Sequence, residues 1–210
     1  MTASSPRSAQ RRIGLTGGIA SGKSTVGRLL AGRFGLPVLD ADFYARESLA
    51  PGTPATAAVL ARYGARVAAS LPAAASLDRA ALGRLVFADP AERQWLEGLV
   101  HPLVRRRFAV ELNRLAATPA VVLMIPLLFE AGLEGLCSEI WLVDCDIQQQ
   151  RERLRRRDGF NAAEAGARLA AQWPMAEKRS RSDVVIDNRG SEEALVAQLE
   201  QALRSGPSAR

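Results

Sequence analysis

The chain has 210 residues, 48% apolar and 24% charged, and a formal net charge of +6. That length suits one well-packed domain with a mobile appendage; no run approaches the ~18 apolar residues of a membrane span, and two cysteines, Cys137 and Cys145, without CxxC spacing, speak for free thiols in a reducing cytoplasm. With aromatic residues at 5%, platforms for stacking bases are scarce, so the positive charge reads as serving phosphorylated small molecules and no nucleic acid.

In chain order, Met1 to Gln10 is a disordered lead-in without the apolar core of a signal peptide. Arg12 to Thr16 is a first strand. Ser24 to Phe34 carries Val26, Leu29, Leu30 and Phe34 at helical spacing, and Gly35 and Pro37 end that helix. Val38 and Leu39 begin a short second strand that stops at Asp40. From about residue 43 to 117 no strand is convincing; helices begin near Asp78, at Asp89-Pro90 and at Pro102, the last burying Val104, Phe108, Leu112 and Leu115. The alanine run Ala73 to Ala75 is the one low-complexity tract. Ala120 to Ile125 is an unbroken apolar run, as in a strand buried on both faces. Ile140 to Val143 is a fourth strand and Val184 to Ile186 a fifth. Between them, about 151–182 is helical and arginine-rich, with Asn161 and Glu164 placed as an N-cap pair and Trp173-Pro174 as a breaker. A last helix after Ser191 buries Leu195, Val196, Leu199 and Leu203.

Alternating strands and helices predict an α/β fold of three layers around a five-stranded parallel sheet. One domain over 11–205 is expected, with its core in 11–42, 118–150 and 183–205, two helical insertions between, and a flexible tail at 206–210. The oligomeric expectation is a monomer or weak homo-oligomer.

Gly17-Gly18-Ile19-Ala20-Ser21-Gly22-Lys23-Ser24 satisfies GxxxxGK[ST] between a strand and a helix. The glycines permit angles that bring backbone N–H groups onto phosphate oxygens, and the helix start adds its partial positive charge. Lys23 can reach the β- and γ-phosphates of ATP, and the Ser24 hydroxyl can ligate Mg²⁺. A P-loop alone does not choose a reaction. No guanine-reading NKxD is present, and the strand ending Met124-Ile125-Pro126 lacks the acid that motors use to place water. Asp40-Ala41-Asp42 follows the second strand at the end of the sheet where ligands bind, so one of these aspartates is placed to orient an acceptor hydroxyl or to support Mg²⁺ through water. Those features favour a small-molecule kinase over a nucleotide-dependent binding protein. The acceptor could be a nucleoside, a sugar acid, shikimate or something larger.

Arg151, Arg153, Arg155, Arg156 and Arg157 form either a solvated helix or a lid that closes on phosphates. Lone His101, before Pro102, reads as a structural or capping residue. There are 26 arginines and two lysines, so Lys23 stands where arginine would not serve; Lys178 is either such a position or an exposed helical charge.

Several separated segments now resemble the dephospho-CoA kinase family over about 11–203: Ile13-Gly14-Leu15-Thr16-Gly17-Gly18-Ile19, Asp40-Ala41-Asp42, Pro51-Gly52, Leu77-Asp78-Arg79, His101-Pro102, Ile125-Pro126-Leu127-Leu128 with Glu130, Gln150 with Arg153, Gln172, and Ile186-Asp187-Asn188 with Gly190. The resemblance implies a P-loop kinase core, a helical insertion (about 43–117) that holds dephospho-CoA, a lid (about 151–182), and ATP and Mg²⁺ as co-substrate and metal. It implies Asp42 as catalytic base, Arg153 as lid arginine and Lys23 at the transferring group. Thr16, Gly17 to Thr25 and Asn188 would form the ATP site, with Asp40, Arg79, His101, Leu127 and Glu130 on the acceptor side. This chain departs from the family pattern at Met124, where many relatives carry an acid, at Arg46 and at Ser182.

Overall fold

The computed structural model describes residues 10–69 and 76–206. Of the lead-in expected over Met1 to Gln10 all but Gln10 lies outside them, as do the Ala73 to Ala75 run and most of the expected tail. In chain order the elements are β1 (Arg11–Gly17), α1 (Lys23–Gly32), β2 (Val38–Asp40), α2 (Ala41–Ser48), α3 (Pro54–Tyr63), α4 (Arg79–Ala88), α5 (Pro90–Arg114), β3 (Ala120–Met124), β4 (Glu139–Asp144), α6 (Ile147–Asp158), α7 (Ala162–Ala170), α8 (Met175–Ser180), β5 (Val184–Asp187) and α9 (Glu192–Ser205). They sort into two compact units, one running to Asp40 and resuming at Arg114, the other Ala41–Asn113. Among the described residues no helix is long and apolar enough to cross a membrane.

The first unit is a five-stranded parallel sheet in the order β2-β3-β1-β4-β5. Parallel neighbours need crossover connections, and helices in those connections cover both faces. That is why β4 is buried at all of its positions. Ile13, Leu15, Val122, Trp141 and Val143 from the strands meet Val26 and Leu30 of α1 and Leu195 and Leu199 of α9 in one apolar core. At the carboxyl edge Gly17 lies opposite Val143, Asp40 opposite Met124, and Asp144 opposite Asp187. The P-loop therefore leaves the middle strand at the edge where open α/β sheets bind ligands.

At the opposite edge one buried charge holds the sheet to its last helix. Glu139, fully buried, accepts from the Arg11 guanidinium and from the Trp141 indole N–H at 2.9 Å. The other Arg11 nitrogens donate to Leu203 O at 2.7 Å and Ala202 O at 2.9 Å, carbonyls that the end of α9 leaves without intrahelical partners. Gln10 also belongs to the ordered fold, donating to Leu115 O at 2.6 Å.

The second unit contains α2 to α4 and almost all of α5. Neither α2 nor α3 was expected from the apolar pattern, although Thr53-Pro54 is a cap followed by proline at N1, and the Thr53 hydroxyl accepts from Thr56 N. Asp78 caps α4 through Ala80 N and Ala81 N, and Asp89 accepts from Ala91 N at 2.8 Å. Val59, Tyr63, Val67, Leu82 and Val86 form its apolar cluster. Tyr44 and Phe108 meet edge to face, with centroids 5.3 Å apart. On the surface of the unit Arg62 forks onto Glu92 at 2.7 and 3.1 Å while lying over the Trp95 ring at 4.6 Å, and the Tyr63 hydroxyl donates to the same carboxylate at 2.6 Å.

One helix expectation needs correction. Pro102 does not begin a helix; it lies inside the continuous α5. A helix-interior proline costs roughly 3 kcal/mol, but Val100, Val104, Phe108 and Leu112 form one buried stripe running across it, and burial on both sides outweighs the lost bond. His101 is accordingly a half-buried, helix-interior residue with no helix start to cap.

Two outcomes follow from these networks. Arg11→Ala would leave the buried Glu139 with the indole alone and strip two α9 carbonyls of donors. It should lower stability by about 3 kcal/mol, seen as an earlier urea midpoint at unchanged slope; a change under ~1 kcal/mol would show that solvent replaces the guanidinium. The Arg62 and Tyr63 hydrogen bonds hold the Glu92 carboxyl below its ordinary value of 4.5. A depressed folded-state value stabilises fully above pH 4.5 and is lost as pH falls through that lower value. Acid titration of stability should therefore separate the wild type from Glu92→Gln above this range and bring them together below it.

Candidate active site

The turn from Gly17 to Lys23 has left-handed backbone at Ala20 (φ 57°) and Gly22 (φ 103°), which curls its amides toward one concavity. A Cβ on Gly22 would lie 1.9 Å from Asn188 Nδ2, so the close approach as well as the angle demands glycine there. Ala20 accepts a strained angle that side chains avoid, at a cost of about 1–2 kcal/mol. Its neighbours hold it there.

Amides that face inward turn their carbonyl oxygens outward, and each carbonyl from Gly17 to Ser21 receives a side-chain donor. Lys23 Nζ donates to Gly17 O at 2.9 Å and Gly18 O at 2.8 Å. Gln150 Nε2, from α6, donates to Ile19 O at 2.8 Å. Arg153 Nη1 donates to Ala20 O and Ser21 O, both at 3.2 Å, and Asn188 Nδ2 to Ser21 O at 2.7 Å. On the other face of the same residue, Ile19 N donates to Gln172 Oε1 at 2.8 Å. Lys23 is largely buried, whereas Ser24 at the start of α1 is exposed.

Around this turn the expected site residues fall into groups. Thr16 is fully buried and donates to Pro126 O at 3.2 Å, which ties β1 to the loop after β3. Thr25 is half-buried in the first turn of α1. Asn188, assigned to the ATP site by resemblance, reaches the P-loop itself. Arg153 lies against P-loop carbonyls and donates also to Asn188 O at 3.3 Å, while Arg155 and Arg156 are exposed and Arg157 pairs with Asp158. Leu127 is exposed in the loop after β3, and Glu130 in that loop pairs with Lys178 at 2.6 Å. Lys178 is fully buried, which removes the reading of an exposed helical charge. Asp40 ends β2 in the first unit. Asp42, Arg79 and His101 belong to the second unit, where Asp42 is exposed in the first turn of α2 and Arg79 donates to Arg46 O at 3.1 Å.

Two residues were given no role from sequence. Gln150 and Gln172 clamp Ile19 from both sides; the sequence marked them only as positions of the family resemblance, with no contact assigned. Cys145 is a thiol pushed up by burial, with the nearby Arg153 guanidinium opposing the shift; neither Cys137 nor Cys145 is in a disulfide. Among the described residues no group of three or more His, Cys, Asp or Glu could hold a metal unaided. A Mg²⁺ ion here would take most ligands from phosphate and water, as Mg²⁺ commonly does, with the exposed Ser24 hydroxyl as a fitting protein donor.

A family model described as dephospho-CoA kinase matches residues 11–193. A dephospho-CoA kinase from Synechococcus sp. (strain CC9605) is 63% identical over 200 residues, 95% of each chain. One from Prochlorococcus marinus (strain MIT 9313) is 56% identical over 186 residues, 88% of this chain and 91% of that one. Among solved structures, a Thermus thermophilus protein aligns with a TM-score of 0.79 and 40% identity over 96% of this chain and 100% of its own. A Campylobacter jejuni dephospho-CoA kinase aligns at 0.68 over 93% and 96% of the two chains, and its 23% identity speaks for the fold alone.

Arg153→Ala should remove the donors to Ala20 O and Ser21 O and weaken both nucleotide affinity and turnover by roughly tenfold or more, the worth of charged hydrogen bonds. Arg155→Ala should change either by less than about threefold, because an exposed charge on another helical face contributes little. Equal losses, measured by calorimetric titration and initial rates, would mean that the arginines act as a diffuse field.

Proposed function

The chain belongs to the dephospho-CoA kinase family, and from that premise we propose the reaction and the division of labour among its residues. It is an ATP-dependent phosphotransferase acting on dephospho-CoA. The acceptor ribose 3′-hydroxyl attacks the γ-phosphorus of ATP. One O–P bond forms, the bond to the β–γ bridging oxygen breaks, and CoA and ADP leave. The observation that carries this reading is the P-loop turn whose carbonyls are held from outside by Lys23, Gln150, Arg153 and Asn188. Such a turn presents its amides to a polyphosphate without reorganising during the reaction, which is where electrostatic catalysis gains most.

Within that frame Lys23 lies beside the β- and γ-phosphoryl oxygens and Arg153 supplies a second positive charge at the rim. Ser24 would hold Mg²⁺, which neutralises charge on the β- and γ-phosphoryl groups when bound. Asp42 stands two residues past the end of β2, and its exposed carboxylate orients the hydroxyl and takes its proton late, since a loose transition state asks little of a base. Asp40, Arg79, His101, Leu127 and Glu130 belong to the acceptor side in this reading, and the lid about 151–182 keeps water from competing for the phosphoryl group. A helical unit of this length, Ala41–Asn113, favours an acceptor larger than shikimate. Cysteines outside any disulfide suit the cytoplasm, and no nucleic-acid partner is needed.

Incubation with ATP, Mg²⁺ and dephospho-CoA should give a product heavier by one phosphoryl group, while shikimate, gluconate and free nucleosides remain unchanged. Asp42→Asn keeps the shape and removes the charge. It should cut turnover by about two to four powers of ten while ATP affinity stays within about threefold, since only an exposed side chain changes. Turnover of a small acceptor at the same rate, or a wild-type rate from Asp42→Asn, would overturn the assignment.

A further inference from the structure

In a chain that uses arginine almost everywhere, one of the two lysines has no place in the reaction just described. Lys178 is fully buried on α8, and its ammonium lies 2.6 Å from Glu130 Oε1. A buried charge is tolerated only when it is paired, and the compact ammonium needs less room than a guanidinium fork. Neither Lys178 Nζ nor Glu130 Oε2 makes a hydrogen bond among the described residues, so the two buried charges rely on their ion pair.

The pair also fixes a stretch of backbone. Trp173 N donates to the same Oε1 at 3.2 Å, and the Trp173 ring stacks on Phe129, the neighbour of Glu130, with planes 9° apart. Directly before Trp173 stands Gln172, whose Oε1 accepts from Ile19 N in the P-loop. On the other side of α8, Arg179 pairs with Asp144 at the end of β4. Met175, the first residue of α8, packs close to Gly18. The arm from Gln172 to Arg179 is thus anchored at both ends to the carboxyl edge of the sheet, with the P-loop beneath it.

We propose that Lys178 is a positioning residue for the nucleotide site: by holding Glu130, it keeps Gln172 on the Ile19 amide and so sets the curvature of the P-loop. Without the ammonium, the Glu130 carboxylate turns toward solvent and the Trp173 amide loses its acceptor. Gln172 then drifts, and Ile19 is held from its carbonyl side alone. The inference rests on the nucleotide-binding reading of the P-loop, and ATP binding to the wild type tests that reading separately.

The test is a double-mutant cycle read by ATP affinity in calorimetry, kcat/KM for ATP, and Tm. Lys178→Met and Gln172→Ala should each weaken ATP affinity by roughly tenfold. The double variant should be no weaker than the worse single one, because both changes break one linkage. A purely structural ion pair would instead lower Tm while leaving ATP affinity within about twofold of wild type, and that result overturns the proposal. Losses that multiply in the double variant overturn it too. If Lys178→Met does not accumulate as folded protein, the pair is replaced together by Lys178→Met with Glu130→Leu, which leaves no buried charge unpaired and removes the Trp173 acceptor; this variant takes the place of Lys178→Met in the cycle with Gln172→Ala and is read by the same criteria. Wild-type protein that fails to bind ATP would overturn the nucleotide reading, and this inference with it.

Discussion

A loop that offers its amide hydrogens to an anion must turn its carbonyl oxygens away from it, and those oxygens need donors of their own. In this chain the requirement reaches well beyond the loop. The donors come from the start of α1, from two turns of α6 and from the end of β5, and the arm before α8 takes an amide on the opposite side. Each of those elements has to be in register for the turn to hold its shape. The strained Ala20 angle persists because its surroundings over-determine it.

Buried charge is the second recurring constraint. Glu139 is met by a guanidinium and an indole, Lys178 by a carboxylate, and Lys23 by two carbonyls. None of these groups is balanced by solvent, so each joins two elements that an apolar contact would let slide. Glu139 ties the amino edge of the sheet to α9, while Lys23 and Lys178 act at the carboxyl edge. Apolar burial supplies most of the driving force for folding. The charges select one arrangement of the helices at the two edges.

How much of this was legible beforehand varied with the kind of residue. Ala120 to Ile125 and Ile140 to Val143 are apolar runs that parallel strands require, and the five-stranded sheet follows from them. The P-loop declares itself because glycine, lysine and serine at that spacing have few other uses. Helix α3 was missed because an alanine-rich segment carries weak periodicity and α2 because eight residues are too few to display a period, and the helix start read at Pro102 gave way to a stripe of burial that local rules do not weigh. Gln150, Gln172 and Lys178 were the hardest. Glutamine announces no chemistry, and a lysine in a helix looks solvated until its distant carboxylate is known.

The distribution of cations has a consequence for chemistry applied to the protein from outside. Both lysine side chains are enclosed, Lys23 at 9% and Lys178 at 0% exposure. Reagents and enzymes that seek primary side-chain amines, such as acetylating or biotinylating agents, find neither of them at the surface of the folded chain. Amine labelling of either lysine therefore reports that the fold has opened, and the order in which the two become reactive would show whether the phosphate turn or the α8 arm loosens first. A surface coated with guanidinium groups keeps its charge and solubility under conditions in which a lysine-coated one would be acylated toward neutrality.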